Sequence, residues 1–192
     1  INEMILADID GDAADNVAAS IVASGGKAES AQLDVRDGPA FAALVDRVVA
    51  DHGRIDLIFN NAGIGVGGPI EDLTAEHWQR IVDINIMGVV NGIRAVYPHM
   101  IRQGDGHIVN TASLAGLVPS PMLAPYAMTK HAVEAFTKSL PGRARVSEPA
   151  LPLVLAALHQ ELGRGVLVLL PEDADARDAA DTRAACTPAS AS

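Results

Sequence analysis

Between residues 4 and 140 short strand-like runs alternate with longer stretches of helical periodicity, and that alternation leaves few folds open. Met4-Ile5-Leu6-Ala7 is an apolar run closed by Asp8 and reads as a buried strand within residues 1–9. Asp10 or Asp12 can cap the helix that follows, whose Ala14, Val17, Ala18 and Ile21 form one stripe and which Gly25-Gly26 ends. A second strand covers residues 28–35, with Asp34 near its end. Asp37 then opens a helix with Phe41, Leu44, Val45 and Val48 spaced for burial, and Gly53 stops it. Residues 55–59 make a third strand, followed by Asn60-Asn61-Ala62-Gly63. Thr74-Ala75-Glu76 begins a long helical region in which Trp78, Ile81, Val82 and Asn85 share a face, continuing through Val89, Ile93 and Val96 to about Arg102. Strands alternating with helices across short loops call for an α/β, doubly wound parallel sheet.

The stretch 106–140 carries the chemistry. Residues 107–111 form a short β-branched strand, and Ser113 follows it. A loop containing Gly116, Pro119, Pro121 and Pro125 leads to a helix that turns at Tyr126, with Met128, Ala132, Val133 and Phe136 on one side. Tyr126 and Lys130 are four residues apart on that helix. At ~100° per residue they fall ~40° from each other and ~6 Å apart along the axis, within reach of a common ligand. A phenol is a poor base at neutral pH, and a neighbouring ammonium favours its ionised form by Coulomb attraction. Such a tyrosine can take a proton from an alcohol or return one to a carbonyl oxygen, while the Ser113 hydroxyl holds the same oxygen. A Tyr and a Lys four apart also occur by chance in many helices. What favours the chemical reading is placement: Asp8, Asp34, the 60–63 segment and Ser113 each sit at the carboxyl end of a different strand, where ligands of such sheets collect.

A Ser thirteen residues before Tyr-x-x-x-Lys, an NNAG segment after a strand and Asn85 in a helix between them resemble the short-chain dehydrogenase/reductase family, from about Ile5 to Leu140. The resemblance implies a Rossmann-like fold and an NAD(P)-dependent oxidoreductase that interconverts an alcohol and a ketone. Its catalytic residues would be Asn85, Ser113, Tyr126 and Lys130. Tyr126 exchanges the substrate proton, and Lys130 supports it and binds the nicotinamide ribose. Ser113 positions the oxygen, and Asn85 holds a water in a proton relay. Asp8 would chelate the adenosine ribose and repel a 2′-phosphate, which favours NAD over NADP, although a capping or solvated Asp is an equal reading and Asp10 competes for the role. Asp34 with Val35 resembles the family's adenine contact. Asn61, Ala62 and Gly63 let the backbone approach the cofactor, whereas Asn60 ties neighbouring strands. The resemblance also implies a homodimer or homotetramer built through the long helices around 78–102 and 126–140. The mostly apolar loop 114–125 hints at a hydrophobic small-molecule substrate.

Other classes are disfavoured. A net charge of −10 opposes nucleic acid or an anionic membrane as partner. The single Cys186 makes no disulfide framework, so a cytoplasmic setting is the default. No run approaches the ~18 apolar residues of a membrane span. The six His, among them His77, His99, His107 and His131, show no ligand spacing, and no catalytic metal is expected. Gly63, Gly65 and Gly68 satisfy G-x-G-x-x-G, but Pro69 follows where the pyrophosphate fingerprint needs a helix to begin.

The family's glycine-rich turn precedes the strand ending at Asp8, and this sequence starts after it. Roughly 30 residues of a βαβ unit are therefore expected to be missing, with them the mid-sheet strand between those ending at Asp8 and Phe59, leaving exposed edges or a collapsed register. Beyond the helix ended by Pro141-Gly142, an extra helix over 153–162 and a strand over 166–170 are expected. Residues 144–147 are the alternative for the strand that follows the tyrosine helix. The final strand of the family is absent from this reading. Residues 1–170 form the domain, and 171–192, rich in Ala, Asp, Ser and Thr, read as a disordered tail. The rival to an enzyme is an inactive, truncated relative that serves as an interaction or dimerisation module. A sugar epimerase or dehydratase of the extended branch is disfavoured by length.

Overall fold

The computed structural model describes residues 3–140, 145–147 and 166–169. Strands β1 (Met4–Asp8), β2 (Ala28–Gln32), β3 (Leu57–Asn60) and β4 (His107–Asn110) alternate with helices α1 (Gly11–Ala23), α2 (Gly38–His52), α3 (Ala75–Val82) and α4 (Gly88–Gln103). Helix α5 (Ala124–Ser139) follows, then β5 (Arg145–Ser147) and β6 (Val166–Leu169). The strands make one sheet in the order β2-β1-β6-β3-β4-β5, every neighbouring pair parallel. This is the doubly wound α/β architecture that the alternation requires.

The period-two pleat divides the apolar residues between two layers. Ile5, Ala7, Ile58 and Ile108 meet Phe41, Val45, Ile81 and Val96 from the helices in the larger core. Leu6, Leu57, Phe59 and Val109 turn the other way, and Ala18 of α1 packs on them. Helix α2 forms where its sequence signals place it. The Asp37 carboxylate accepts from the Ala40 amide, Phe41, Leu44, Val45 and Val48 are buried, and Gly53 closes the helix at φ 76°, a conformation that favours glycine.

Several expectations are corrected. Strand β2 ends at Gln32, so Asp34 and Val35 stand beyond it rather than at its end, and the Asp34 carboxylate turns back to accept from the Arg36 amide. Helix α5 starts at Ala124, because Pro125 has no N–H to satisfy and suits a first turn. Its buried residues are Pro125, Thr129, Lys130, Val133 and Thr137, while Met128, expected to face inward, is exposed. The helical region after Thr74 is interrupted by a π turn, Asp83–Met87, between α3 and α4. Both candidates for the strand after α5 are strands: Arg145–Ser147 extends the sheet beside β4, and Val166–Leu169 enters its middle. The mid-sheet position expected to stand open between β1 and β3 is thus filled by β6, and the exposed edges anticipated there do not form. The helix anticipated over 153–162, the tail over 171–192 and Cys186 lie outside the described residues.

Candidate active site

The carboxyl ends of β1, β3 and β4 form one rim. At β1, Asp8 is buried, 7% exposed, and its Oδ1 accepts from the Asp10 amide at 2.8 Å. Asp10 itself is the N-cap of α1 and accepts from the Ala13 amide at 3.0 Å. The two acids that competed for one role therefore have different positions. Asp8 lines an open hollow of ≈350 Å³ together with Leu33, Asp34, Val35, Ala62 and Gly63. Arg36 also lines it and forks onto Asp34 through Nε, at 2.9 and 3.0 Å from the two carboxylate oxygens. That hydrogen-bonded guanidinium is the main reason the Asp34 carboxyl titrates below the ordinary carboxylate range.

Gly63 is shared by the hollow and by the residues around α5. A Cβ there would stand 3.2 Å from Asn85 Oδ1 and 3.7 Å from Lys130 Nζ. Lys130 is almost fully buried, 5% exposed, and Nζ donates to the Thr111 carbonyl at 2.7 Å. The same Nζ is 5.7 Å from the centre of the Tyr126 ring, so the four-residue spacing does bring the ammonium to the phenol. Burial pushes the lysine down from 10.5 to about 8. Ser113 heads the single 3₁₀ turn Leu114–Gly116, and its Oγ accepts from the Ala115 amide at 3.2 Å, which leaves the hydroxyl proton to donate elsewhere. Gly116 keeps that turn against α5: a Cβ on it would reach within 2.8 Å of the Lys130 carbonyl oxygen.

Asn85 is 1% exposed within the π turn. Its Oδ1 accepts from the Ile64 amide at 2.8 Å, and its Nδ2 donates to the Ile64 carbonyl at 2.9 Å and to Thr129 Oγ1 at 3.1 Å. The side chain therefore pins the segment after Gly63 to α5 with both amide hydrogens used. A π turn widens the helix locally, which lets one polar side chain lean out of an apolar face. Asn61 accepts from the Thr111 hydroxyl at 2.7 Å and stands beside the rim, outside the hollow.

Behind the rim is a buried ladder that sequence reasoning found only at its first rung. Asn60 Nδ2 donates to Asn110 Oδ1 at 2.8 Å, Asn110 Nδ2 donates to Thr137 Oγ1 at 2.9 Å, and Thr137 Oγ1 donates to the Val133 carbonyl at 2.7 Å. Thr129, Asn110 and Thr137 were missed because a short polar side chain at a strand end or in a helix looks like a solvated one until its neighbours are known. Asn60 Oδ1 has no partner among the described residues and faces Gly92, where a Cβ would be only 2.0 Å away.

Of the histidines without ligand spacing, His77 completes a capping box with Thr74, and His99 joins Asp46 to Arg102. His52 shares a small cluster with Glu3 and Glu29 at the amino ends of β1 and β2, opposite the rim. One donor atom of each lies within 4.8 Å of the others, and Arg47 is 3.7 Å from Glu29. The Gly63-Gly65-Gly68 segment opens no helix, since α3 starts at Ala75 with Thr74 as its cap. Among the described residues no helix is long and apolar enough to cross a membrane.

Residues 2–146 match the family model described as short chain dehydrogenase. The cyclopentanol dehydrogenase of a Comamonas strain is 39% identical over 134 residues, 70% of this chain and 54% of that protein. A crystal structure of NAD⁺-bound xylitol dehydrogenase superposes with a TM-score of 0.69 at 38% identity, over 71% of this chain and 53% of that one. A metagenomic short-chain oxidoreductase in complex with NADP superposes with a TM-score of 0.74 at 31% identity, over 86% of this chain and 85% of that one. The chain spans about half the length of the curated relatives it matches.

Proposed function

The chain belongs to the short-chain dehydrogenase family, and on that premise we propose that it interconverts an alcohol and a ketone by hydride transfer with a nicotinamide cofactor. The observation that carries the proposal is the position of Gly63. It lines the hollow that contains Asp8 and also stands beside Lys130 Nζ, so a ligand in the hollow can extend along bare backbone to the Tyr126–Lys130 pair. The residues fit a dinucleotide on that ground. Asp8 would take the adenosine ribose, Asp34 and Val35 the adenine, Asn61, Ala62 and Gly63 the connecting backbone, and Tyr126 and Lys130 the nicotinamide ribose.

The cofactor, when bound, accepts or supplies the hydride at the substrate carbon. The chain's own residues manage the proton. In the oxidation direction the alcohol oxygen gives its proton to Tyr126 Oη, and in reduction Tyr126 returns one to the carbonyl oxygen. Lys130, fixed by Thr111, places positive charge near the ring and favours the ionised phenol during transfer. The Ser113 hydroxyl, its oxygen oriented by the Ala115 amide, donates to the substrate oxygen. Asn85 fixes the Gly63–Ile64 backbone against Thr129, and because both its amide hydrogens are committed, a relay water there would have to donate to its Oδ1.

Asp8 supports NAD over NADP, because a buried carboxylate at the ribose repels a 2′-phosphate. Arg36 at the same hollow is the feature on the other side, but its guanidinium is already forked onto Asp34. A hydrophobic substrate is supported by the exposed Ile70, Leu114, Leu117 and Met122, which lie on the connections that follow β3 and β4. The Met122 carbonyl accepts from the Gly68 amide at 2.7 Å and joins the two loops that carry these side chains.

The test is NADH binding by fluorescence with NADPH as control, then turnover with a panel of secondary alcohols. NADH should bind more tightly than NADPH, and Asp8→Asn should narrow the difference. Tyr126→Phe should lower turnover by about 10²–10⁴-fold while NADH still binds. A folded chain that binds neither nucleotide would overturn the proposal and leave the interaction module as the better reading.

A further inference from the structure

Part of the hollow is lined by a segment that belongs to no strand or helix. Residues 33–37 connect β2 to α2, and Leu33, Asp34, Val35 and Arg36 line the hollow. Within this connection the Asp37 amide donates to the Asp34 carbonyl at 2.9 Å, and the Arg36 amide donates to the Asp34 carboxylate, also at 2.9 Å. Bonds between such near neighbours fix the shape of a turn and not its place in the fold. Its place is set from α4. Asn91, which the site described above does not use, donates from Nδ2 to the Val35 carbonyl at 2.9 Å and, at a longer 3.4 Å, to the Arg36 carbonyl, 56 and 55 residues back in the chain. Gly88, three residues earlier on the same helix face, lets Val35 approach: a Cβ there would stand 2.8 Å from Val35 Cγ2. At the start of α2, Gly38 leaves room for the Asn91 amide, since a Cβ would stand 3.1 Å from Oδ1.

We propose that Asn91 is a positioning residue that presets this turn for the adenine, an inference that rests on the reading given above for Asp34 and Val35. Two consecutive carbonyls are drawn toward α4 by one nitrogen, and a carboxamide suits that task because its nitrogen carries two hydrogens. The turn therefore holds its arrangement before a ligand arrives. A turn ordered in advance loses less entropy on binding, which raises affinity without any contact between Asn91 and the ligand. An apolar residue at position 91 would take this partner from the Val35 carbonyl and release the turn from the helix.

The same helical run carries a second tie at its start. Asn85, in the π turn that leads into α4, holds the Ile64 backbone in the connection after β3, at the end of the hollow nearer Lys130. Asn91 holds the connection after β2, at the opposite end. Loss of Asn91 should loosen one end and leave the other as it was, which separates a positioning role from a general contribution to stability.

The experiment compares the full chain with Asn91→Leu and Asn91→Asp by amide hydrogen exchange and by titration with adenosine, NADH and reduced nicotinamide mononucleotide. Aspartate keeps the shape of asparagine and lacks its N–H groups, so lost packing cannot account for its effect, and adenosine is neutral, so the added charge does not act on it directly. In both variants the Arg36 and Asp37 amides should exchange about three- to tenfold faster, with the Ile64 amide unchanged. Adenosine should bind both variants about three- to tenfold more weakly, and the reduced mononucleotide should bind all three proteins alike. A wild-type chain that binds neither adenosine nor NADH overturns the reading of the adenine contact, and this inference with it. A wild-type chain that binds both, beside variants that bind adenosine as tightly, overturns this inference alone. Exchange at Ile64 accelerated as much as at Arg36 does the same, since it would make Asn91 a general stabiliser of the fold. If Asn91→Asp does not fold, Asn91→Leu decides by the same readouts.

Discussion

Lys130 is pulled in two directions. The Thr111 carbonyl and the Tyr126 ring favour its charge, and burial opposes it strongly enough to bring its pKa to about 8. The consequence for stability has a definite sign. Between about pH 8 and 10.5 the unfolded lysine holds a proton that the folded one has released, so this residue's contribution to stability rises with pH across that window. Below it, both forms are protonated and the cost of burial is borne in full. Relative to Lys130→Met, the wild type should therefore gain on the order of 2 kcal/mol between pH 7 and 10, measured by urea unfolding. A difference between the two proteins that did not move with pH would contradict this account. The position of the lysine was legible in sequence, four residues after Tyr126. Its burial was not, because the groups that enclose it come from the segments that follow β3 and β4.

Helices α2 and α5 show why one element could be read from its residues and the other only in part. In α2 the buried positions are all apolar, so a 3.6-residue period identifies the inward face directly. In α5 the inward face carries Thr129, Lys130 and Thr137 beside Val133, and each polar group is satisfied by a partner distant in sequence. A hydrophobicity count then selects the wrong flank and places Met128 inside. The buried ladder gives a test at this scale. Thr137→Val would deprive the fully buried Asn110 Nδ2 of its acceptor and should cost about 1–3 kcal/mol, whereas Thr137→Ser keeps the hydroxyl and should cost less. Denaturant midpoints for the two variants check it. Equal losses would assign the effect to the lost methyl packing and not to the hydrogen bond.

For the whole molecule the decisive element is β6. Because, among the described residues, it alone bridges β1 and β3, its release should expose amides on both inward edges together. Hydrogen exchange should give the residues of β1 and β3 whose amides face it a common opening free energy, and Ala7 and Phe59 exchanging with unrelated opening energies would argue against it. The alternation of strands and helices, the polar residues at strand ends and the Tyr126–Lys130 spacing were determined by the sequence alone. They depend on periods of 2 and 3.6 and on caps and glycines, all of which act within a few residues. Only the tertiary structure decided that Asp10 caps while Asp8 lines the hollow, that α5 turns a polar face inward, and that residues 166–169 enter the middle of the sheet. Strand propensity marks a segment as able to pair; which edges it pairs with depends on donors and acceptors left unsatisfied elsewhere in the chain, and no local pattern records them.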